Sequence, residues 1–276
     1  MNRLTPAEVH HYHDKGYLVP DFRLSDSWLE RVRNALDTLH RDHPNVGLDF
    51  VPSPHVPNYV EGVTEYEEWL EFARIPEVLD IVAELIGPDF LMWGSALFGK
   101  PGSTGKETPW HQDGEYWPIR PLASCTLWIA LDPSTSDNGC LRVLPGSHKK
   151  KQIFHHRRND ATGFTLNQVL SDTELNLDDA TDVCLEPGQI SIHDVYLAHG
   201  SAPNRSTQRR AGMTYRYMPT TSHFDHDWAL EMTRTMGTTD MSQRPLFLVR
   251  GCDRCGQNDL ERGHAVYAPY MAANAS

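Results

Sequence analysis

Apolar residues over positions 1–88 recur every three or four residues, the spacing of amphipathic helices. One series lies around Ser25, a favourable N-cap residue, and comprises Leu24, Trp28, Leu29, Val32, Leu36 and Leu39. A second series precedes Gly87 and comprises Val78, Leu79, Ile81, Val82, Leu85 and Ile86. The pattern predicts a mainly helical N-terminal part over 1–88, interrupted by a proline-rich loop from His43 to Val63.

Capping signals predict where some of these helices begin and end. Thr5-Pro6-Ala7-Glu8 has the form of a capping box with proline at the first helical position, and Thr64-Glu65-Tyr66-Glu67 has the same form. Gly16 and Gly87 are placed to end two helices, because glycine adopts the left-handed conformation common there.

From Asp89 the pattern changes to short β-prone runs separated by Pro-Gly and Asn-Gly turns. The runs are Phe90 to Phe98, Ala123 to Leu131, Leu141 to Leu144, Val183 to Leu185, Gln189 to Ala198 and Ala211 to Met218. Because no helical pattern alternates with them, they favour an antiparallel jelly roll or barrel over βαβ units. We expect one mainly β domain over 1–276, with a jelly-roll core at 89–220 and a C-terminal extension at 221–276 whose role is open.

Composition narrows the function classes. The chain has 276 residues and a net charge of -12, which opposes binding to nucleic acid or to an anionic membrane surface. No apolar run is long enough for a membrane helix, so we expect a soluble, cytoplasmic protein. The five cysteines are an odd, scattered set typical of reduced thiols, and Cys252-x-x-Cys255 lacks the second pair that a zinc ribbon needs.

Candidate chemistry is concentrated in Trp110-His111-Gln112-Asp113-Gly114. On an extended strand, His111 and Asp113 would face the same side about 7 Å apart. Two ligands of one metal ion must come closer, so we expect the backbone to curl here, as Gly114 and Pro109 permit.

A third ligand must come from another segment, and both His193 and His199 are candidates on residues alone. Two histidines and one aspartate form the facial triad of non-haem Fe(II) oxygenases, which leaves open coordination positions. Taken alone, however, His-x-Asp is a common chance pattern in a chain with 15 histidines.

Several linked motifs together resemble the phytanoyl-CoA dioxygenase family of Fe(II)- and 2-oxoglutarate-dependent oxygenases. The motifs are Lys100-Pro101-Gly102, Trp110-His111-Gln112-Asp113, Asn138-Gly139-Cys140-Leu141, Leu144-Pro145-Gly146-Ser147-His148, Pro187-Gly188 and His199-Gly200-Ser201-Ala202-Pro203-Asn204-Arg205-Ser206 with Arg209-Arg210. The resemblance extends to about Met218 and implies a double-stranded β-helix decorated by helices.

The same resemblance implies the site residues. His111, Asp113 and His199 would hold Fe(II), and Arg210, eleven residues beyond His199, would bind the far carboxylate of 2-oxoglutarate. Arg209 is its neighbour and competitor, since adjacent strand residues face opposite ways. Further cosubstrate contacts would come from three residues with less specific signals, namely Ser201, Lys100 and Trp128.

The implied reaction is hydroxylation of a C–H bond with 2-oxoglutarate and O2, releasing succinate and CO2, with ascorbate as a stimulant. Related halogenases replace the carboxylate ligand by a small residue, whereas this chain retains Asp113. The resemblance therefore favours hydroxylation over halogenation.

The substrate is less closely specified. Tyr116, Trp117 and Arg120 follow the metal motif and would line the mouth of the site, where they suit a small polar, charged metabolite. An aminophosphonate or a betaine-like zwitterion fits this description, and an acyl-CoA or natural-product intermediate is the alternative. Self-association into a homo-oligomer is open.

Two other classes of protein are compatible with a His-Asp-His site. It could hold Zn(II) and hydrolyse a substrate through bound water, which would need neither O2 nor 2-oxoglutarate. It could also be a non-catalytic jelly roll in which the metal only stabilises the fold.

Overall fold

The computed structural model describes residues 3–171 and 175–273. Its helices are α1 (Pro6–Lys15), α2 (Asp26–Asp42), α3 (Glu67–Phe72), α4 (Pro76–Ile86), α5 (His226–Met236) and α6 (Ala268–Ala273). Its strands are β1 (Tyr17–Leu18), β2 (Phe50–Pro52), β3 (Phe90–Lys100), β4 (Thr108–His111), β5 (Ile119–Arg120), β6 (Cys125–Ala130), β7 (Leu141–Val143), β8 (His156–Arg158), β9 (Gln168–Leu170), β10 (Thr181–Val183), β11 (Ile190–Asp194), β12 (His199–Ser201), β13 (Arg210–Pro219), β14 (His223–Phe224) and β15 (Phe247–Arg250).

The N-terminal helices begin largely where the sequence predicts. Thr5 and Glu8 form the expected capping box of α1, and Gly16 ends the helix with φ 85°. The Ser25 hydroxyl caps α2. The prediction of a second capping box at Thr64 is wrong. α3 begins at Glu67, and the Glu65 carboxylate instead accepts hydrogen bonds from the Thr64 amide and the His43 ring.

Two antiparallel sheets form the jelly roll, as predicted. The larger has the strand order β1-β11-β6-β13-β3-β15, with β2 also paired to β3, and the smaller has the order β10-β7-β12-β4. The helical layer packs on the outer face of the larger sheet, where apolar side chains of α2 and α4 meet those of β6, β11 and β13. Tyr215 and Tyr217 bind these layers together by donating hydrogen bonds to the carbonyls of Trp69 and Ala73.

Two segments differ from the sequence prediction. The run Gln189 to Ala198 is not one strand, because β11 ends at Asp194 and His199 opens β12 in the other sheet. The loop His43 to Val63 contains β2, which pairs with β3 at Phe98 and nearby residues. Pro52 at the end of β2 cannot donate to a ladder, so this strand carries a weak sequence signal.

The C-terminal extension belongs to the jelly roll and not to a separate unit. β15 pairs with β3 through Phe247 and Met92, and Met241 and Arg244 reach the barrel cavity. No helix within the described ranges is long and apolar enough to cross a membrane.

A close contact inside the barrel gives a test of the packing. A Cβ added at Gly212 would lie 2.0 Å from the Trp128 ring. We expect Gly212→Ala to lower the free energy of unfolding by about 1–3 kcal/mol, because the indole must move within a packed interior. Urea unfolding followed by tryptophan fluorescence measures the change.

Gly163→Ala is the matched control, since no atom lies within 4 Å of a Cβ built there. We expect its free energy of unfolding to stay within about 0.5 kcal/mol of the wild type. Equal stability of the two variants would contradict the packing described for Trp128.

Candidate active site

The backbone curls between His111 and Asp113, as their spacing requires. β4 ends at His111, and a 3-10 turn begins at Asp113. Gln112 points away from the ligands and anchors the turn, because its side-chain amide donates to the Tyr196 carbonyl at 2.7 Å and its oxygen accepts from the Phe154 amide. Both ligand side chains therefore face one side of the bend.

Sheet pairing brings the third residue to this bend. His199 at the start of β12 lies directly opposite His111 on β4, and the pairing shifts register before Ser201. Gly200 permits this close approach, since a Cβ there would lie 3.1 Å from the Thr108 carbonyl oxygen. The two imidazole rings lie with centroids 4.2 Å apart.

Hydrogen bonds fix the orientation of all three side chains. Nδ1 of His111 lies 2.8 Å from the Pro109 carbonyl, and Nδ1 of His199 lies 2.9 Å from the Leu197 carbonyl. A carbonyl can only accept, so each Nδ1 carries the proton and each Nε2 is left with a free lone pair. The Thr126 hydroxyl donates to Asp113 at 2.8 Å.

The donor set fits a divalent metal ion. One donor atom from each of His111, Asp113 and His199 lies within 4.8 Å of the other two, and His111 Nε2 lies 3.7 Å from Asp113 Oδ1. Adjacent ligands of an octahedral ion stand about 3 Å apart, so small side-chain rotations suffice to close the site. This is the one such group found within the described ranges.

The protonation states also suit metal binding. Burial, with His111 and His193 nearby, holds the pKa of His199 well below its ordinary value. Burial would raise the pKa of Asp113, but contacts with His111 and His193 hold it well below the usual range. At neutral pH, His199 is therefore a neutral imidazole and Asp113 a carboxylate, the forms that bind metals.

His193, the rival third ligand, lies beside this group. Its Nε2 is 3.5 Å from Asp113 Oδ2, and its ring centroid is 4.4 Å from that of His199. Neither ring nitrogen has a hydrogen-bond partner in the described structure. His193 thus belongs to the wall of the site, while His199 has the orienting carbonyl that His193 lacks.

Arg210 lies buried in the same cavity. Its guanidinium donates to the Gly139 carbonyl at 2.7 Å and lies 5.3 Å from the centre of a Trp128 ring. Burial lowers the pKa of Arg210 to about 10, so it remains a cation at neutral pH. Ser201 and Trp128 also line the cavity. Arg209 faces outward and pairs with Asp132 and Asp37, as strand alternation requires.

Two other predicted residues lie away from the cavity lining. The Lys100 ammonium donates to the carbonyls of Lys106 and Ala202, next to Ser201. The Arg120 guanidinium lies 3.6 Å from the centre of a Trp228 ring at the surface. Tyr116 and Trp117, by contrast, line the cavity as expected.

Sequence reasoning missed two arginines of the cavity wall, Arg216 and Arg244. Arg216 follows Arg210 by six residues on β13, so alternation places it on the same face once Arg210 faces inward. Burial lowers the pKa of Arg216, while the Asp113 charge raises it. Arg244 comes from the C-terminal extension, where no local pattern indicates a site.

The resulting cavity has a volume of about 320 Å³ and contains the three candidate ligands, Arg210 and Ser201. That volume is near the lower end of the usual range for small-molecule pockets, which is about 300–1,000 Å³. A jelly roll with a His-Asp-His group facing such a cavity is typical of non-haem metal oxygenases.

Comparison with known proteins identifies the family. The family model described as phytanoyl-CoA dioxygenase matches residues 12–212. The peroxisomal phytanoyl-CoA dioxygenase of Bos taurus is 29% identical over 240 residues, which cover 81% of this chain and 71% of that protein. The chain therefore belongs to the phytanoyl-CoA dioxygenase family and is a 2-oxoglutarate-dependent non-haem iron dioxygenase.

One further relative and two solved structures are informative. A Stutzerimonas stutzeri protein named "Probable alpha-ketoglutarate-dependent hypophosphite dioxygenase" is 33% identical over 173 residues, covering 60% of this chain and 56% of its own. The non-heme monooxygenase ThoJ shares the fold with TM-score 0.70 and 24% identity, covering 97% of this chain and 94% of its own. EctD from S. alaskensis, solved with 2-oxoglutarate and 5-hydroxyectoine, has TM-score 0.65 and 19% identity, covering 81% and 79%.

Buried Lys100 makes stability depend on pH. Burial and the Arg210 charge lower its pKa from 10.5 to about 7. From about pH 7 to about pH 9 the unfolded chain holds this proton and the folded chain releases it, so unfolding takes up a proton and stability rises with pH. We expect Lys100 to contribute about 2 kcal/mol to this rise.

Lys100→Met isolates the effect when urea unfolding of both proteins is measured across that pH range. The variant leaves two carbonyls without a donor, so the informative quantity is the slope with pH and not the absolute stability. Parallel pH profiles for variant and wild type would contradict the lowered pKa.

Proposed function

We propose that this dioxygenase hydroxylates a C–H bond of a small, charged metabolite with Fe(II), 2-oxoglutarate and O2. The observation that carries the proposal is the presence, in one cavity, of a His-Asp-His group and a buried cationic Arg210 beyond it. A metal site that only stabilised the fold would have no use for that arginine.

His111, Asp113 and His199 are the residues that would hold the ion. Fe(II) held there would supply the oxidation of the C–H bond with O2 and 2-oxoglutarate, releasing succinate and CO2. The protein contributes rigidity, since backbone carbonyls fix both imidazoles and Thr126 fixes the carboxylate. A preorganised set of ligands of this kind keeps one face of an octahedral ion open.

Arg210 suits the far carboxylate of 2-oxoglutarate. Its Nε has no hydrogen-bond partner and is buried, and its guanidinium can hold a carboxylate through two parallel bonds. Ser201 and Trp128 complete this end of the cavity. Charges of +2 from iron, -1 from Asp113, -2 from 2-oxoglutarate and +1 from Arg210 sum to zero, which lowers the cost of burying the group.

The lining supports a small substrate. The cavity of about 320 Å³ would also hold 2-oxoglutarate, so the space beside the candidate metal ligands suits a small reacting group. Tyr116 and Trp117 form an aromatic wall that excludes water near the reacting centre. The relative named for hypophosphite supports a small phosphorus oxyanion as a model of the substrate head group.

The reaction class is tested by cosubstrate dependence. We expect succinate to form only when Fe(II), 2-oxoglutarate and O2 are all supplied, with ascorbate maintaining the reduced ion. Asp113→Ala should lower succinate formation by roughly a hundredfold or more, because it removes a ligand. Turnover of a hydrolysable substrate with Zn(II) alone, without O2, would support the hydrolase alternative instead.

Arg210→Met tests the cosubstrate site, with Arg209→Met as the matched control, because Arg209 directly precedes β13 and faces outward. We expect the Kd for 2-oxoglutarate to rise roughly 10- to 150-fold in Arg210→Met, because a charged double hydrogen bond is lost. Arg209→Met should leave this Kd within about twofold. Anaerobic calorimetry of the Fe(II)-loaded proteins measures both, and a reversed ranking would refute the assignment.

A further inference from the structure

The proposed function assigns no role to two arginines of the cavity wall, Arg216 and Arg244. The guanidinium carbon of Arg216 lies over two indole rings, 5.9 Å from the centre of a Trp93 ring and 5.6 Å from the centre of a Trp117 ring. Arg244 donates to the hydroxyls of Ser53 and Tyr59. The Nε atoms of both arginines are buried without a hydrogen-bond partner. We call these two residues the arginine pair.

No carboxylate of the protein neutralises the arginine pair within the cavity. Asp113 is the one acidic residue among the cavity-lining side chains, against Arg210, Arg216 and Arg244. The Asp113 charge is already counted against the metal ion. With Fe(II) and 2-oxoglutarate bound, the cavity would therefore retain a charge of +2 from the arginine pair. Arg244 is buried and Arg216 is partly buried, so holding two uncompensated cations there is costly unless an anion joins them.

The arginine pair lies on the opposite side of the metal ligands from Arg210. Arg216 lies six positions after Arg210 on β13, a distance of about 20 Å along a strand. Arg216 pairs in register with Thr126, whose hydroxyl binds Asp113. An anion held by Arg216 would thus lie next to the iron ligands, on the side that 2-oxoglutarate leaves free.

We propose that the arginine pair binds a dianionic phosphonate or phosphate-monoester head group of the substrate. This inference rests on the proposed function and narrows its substrate class. Two planar guanidinium groups match the tetrahedral oxygens of such a group through double hydrogen bonds, and a dianion brings the buried charge to zero. The carbon next to the phosphorus or ester oxygen is then the one presented to the iron site.

The geometry disfavours a quaternary ammonium group at this end. An aromatic cage for such a cation needs free ring faces, but Arg216 already lies over Trp93 and Trp117, and Arg244 lies 5.0 Å from the centre of the Tyr59 ring. A second cation here would meet two guanidinium charges. Between the two zwitterions considered above, the aminophosphonate is therefore favoured over the betaine.

Ser53 shows that the chain is held in an unusual conformation to complete this end of the cavity. Its φ of 49° is in the left-handed region, which a serine rarely adopts, while its hydroxyl accepts from Arg244. His55, two residues on, is fully buried, and burial with the charges of Arg244 and Arg216 holds its pKa well below the ordinary value. His55 therefore stays neutral and adds no third positive charge beside the arginine pair.

Binding of ethylphosphonate to the anaerobic protein loaded with Fe(II) and 2-oxoglutarate tests the inference without turnover. We expect calorimetry to detect binding of ethylphosphonate. Propionate should bind more weakly, and trimethylglycine should not bind. Arg216→Met and Arg244→Met should each raise the Kd for ethylphosphonate roughly tenfold or more. The Kd for 2-oxoglutarate should change by less than about twofold in both variants.

Arg234→Met is the matched control, since Arg234 is exposed on α5 and outside the cavity lining. Thermal unfolding without ligands gives a second measurement. Because Arg216→Met removes an uncompensated charge from the cavity, we expect its Tm to equal or exceed that of the wild type. A structural role for Arg216 predicts a lower Tm with ethylphosphonate binding unchanged, and that result would overturn the inference.

The two proposals fail in different ways. If 2-oxoglutarate binds and depends on Arg210, but ethylphosphonate does not bind or binds equally to Arg216→Met, the head-group assignment is wrong and the proposed function stands. If 2-oxoglutarate does not bind the Fe(II)-loaded protein, the proposed function fails, and the head-group assignment fails with it.

Discussion

The pairing of β12 with β4 is the constraint on which the site depends. It places His199 directly opposite His111, and the register shift at Gly200 lets the two strands approach closely. The curl after His111 then adds Asp113 from the same segment. Since side chains alternate across a strand, a shift of one residue in this pairing would turn His199 away from the cavity.

Around that pairing, neutral groups and not additional charges fix the orientation of His111, His199 and Asp113. Carbonyls of Pro109 and Leu197 orient the imidazoles, and the carboxylate is held by a neutral hydroxyl. The negative net charge of the whole chain therefore does not predict the charge of the cavity. Its wall is cationic, with three arginines against one carboxylate, although the net charge of the protein is -12.

β13 runs from one end of the cavity to the other. Its inward residues run from Arg210 at the proposed cosubstrate end, past Gly212 under Trp128, to Arg216 at the proposed substrate end. The same strand pairs with β3 on one side and β6 on the other, so both arginines lie on a strand that is hydrogen-bonded along both edges. Arg244, by contrast, lies in the C-terminal extension just before β15, outside residues 12–212 that match the family model.

Much of this arrangement was contained in local sequence. The spacing of apolar residues located α2 and α4, turn pairs separated the strands, and the motif around His111, with the resemblance it carries, indicated the metal ligands and Arg210. Those signals are local because helix periodicity, capping and strand alternation depend on near neighbours. The break between Asp194 and His199, the strand β2 and the false capping box at Thr64 were not readable, since each depends on which segment pairs with which.

The sequence by itself determined the type of fold through its hydrophobic pattern, and the reaction class through the resemblance of its linked motifs to the phytanoyl-CoA dioxygenase family. Only the tertiary structure decided which other side chains share the cavity. It excluded Arg120 and Lys100 from the lining and brought in Arg216 and Arg244. Residue type and spacing do not indicate how a distant loop folds against the barrel. The charge of the cavity depends on that fold, because it decides which charged side chains, such as Arg244, line the wall.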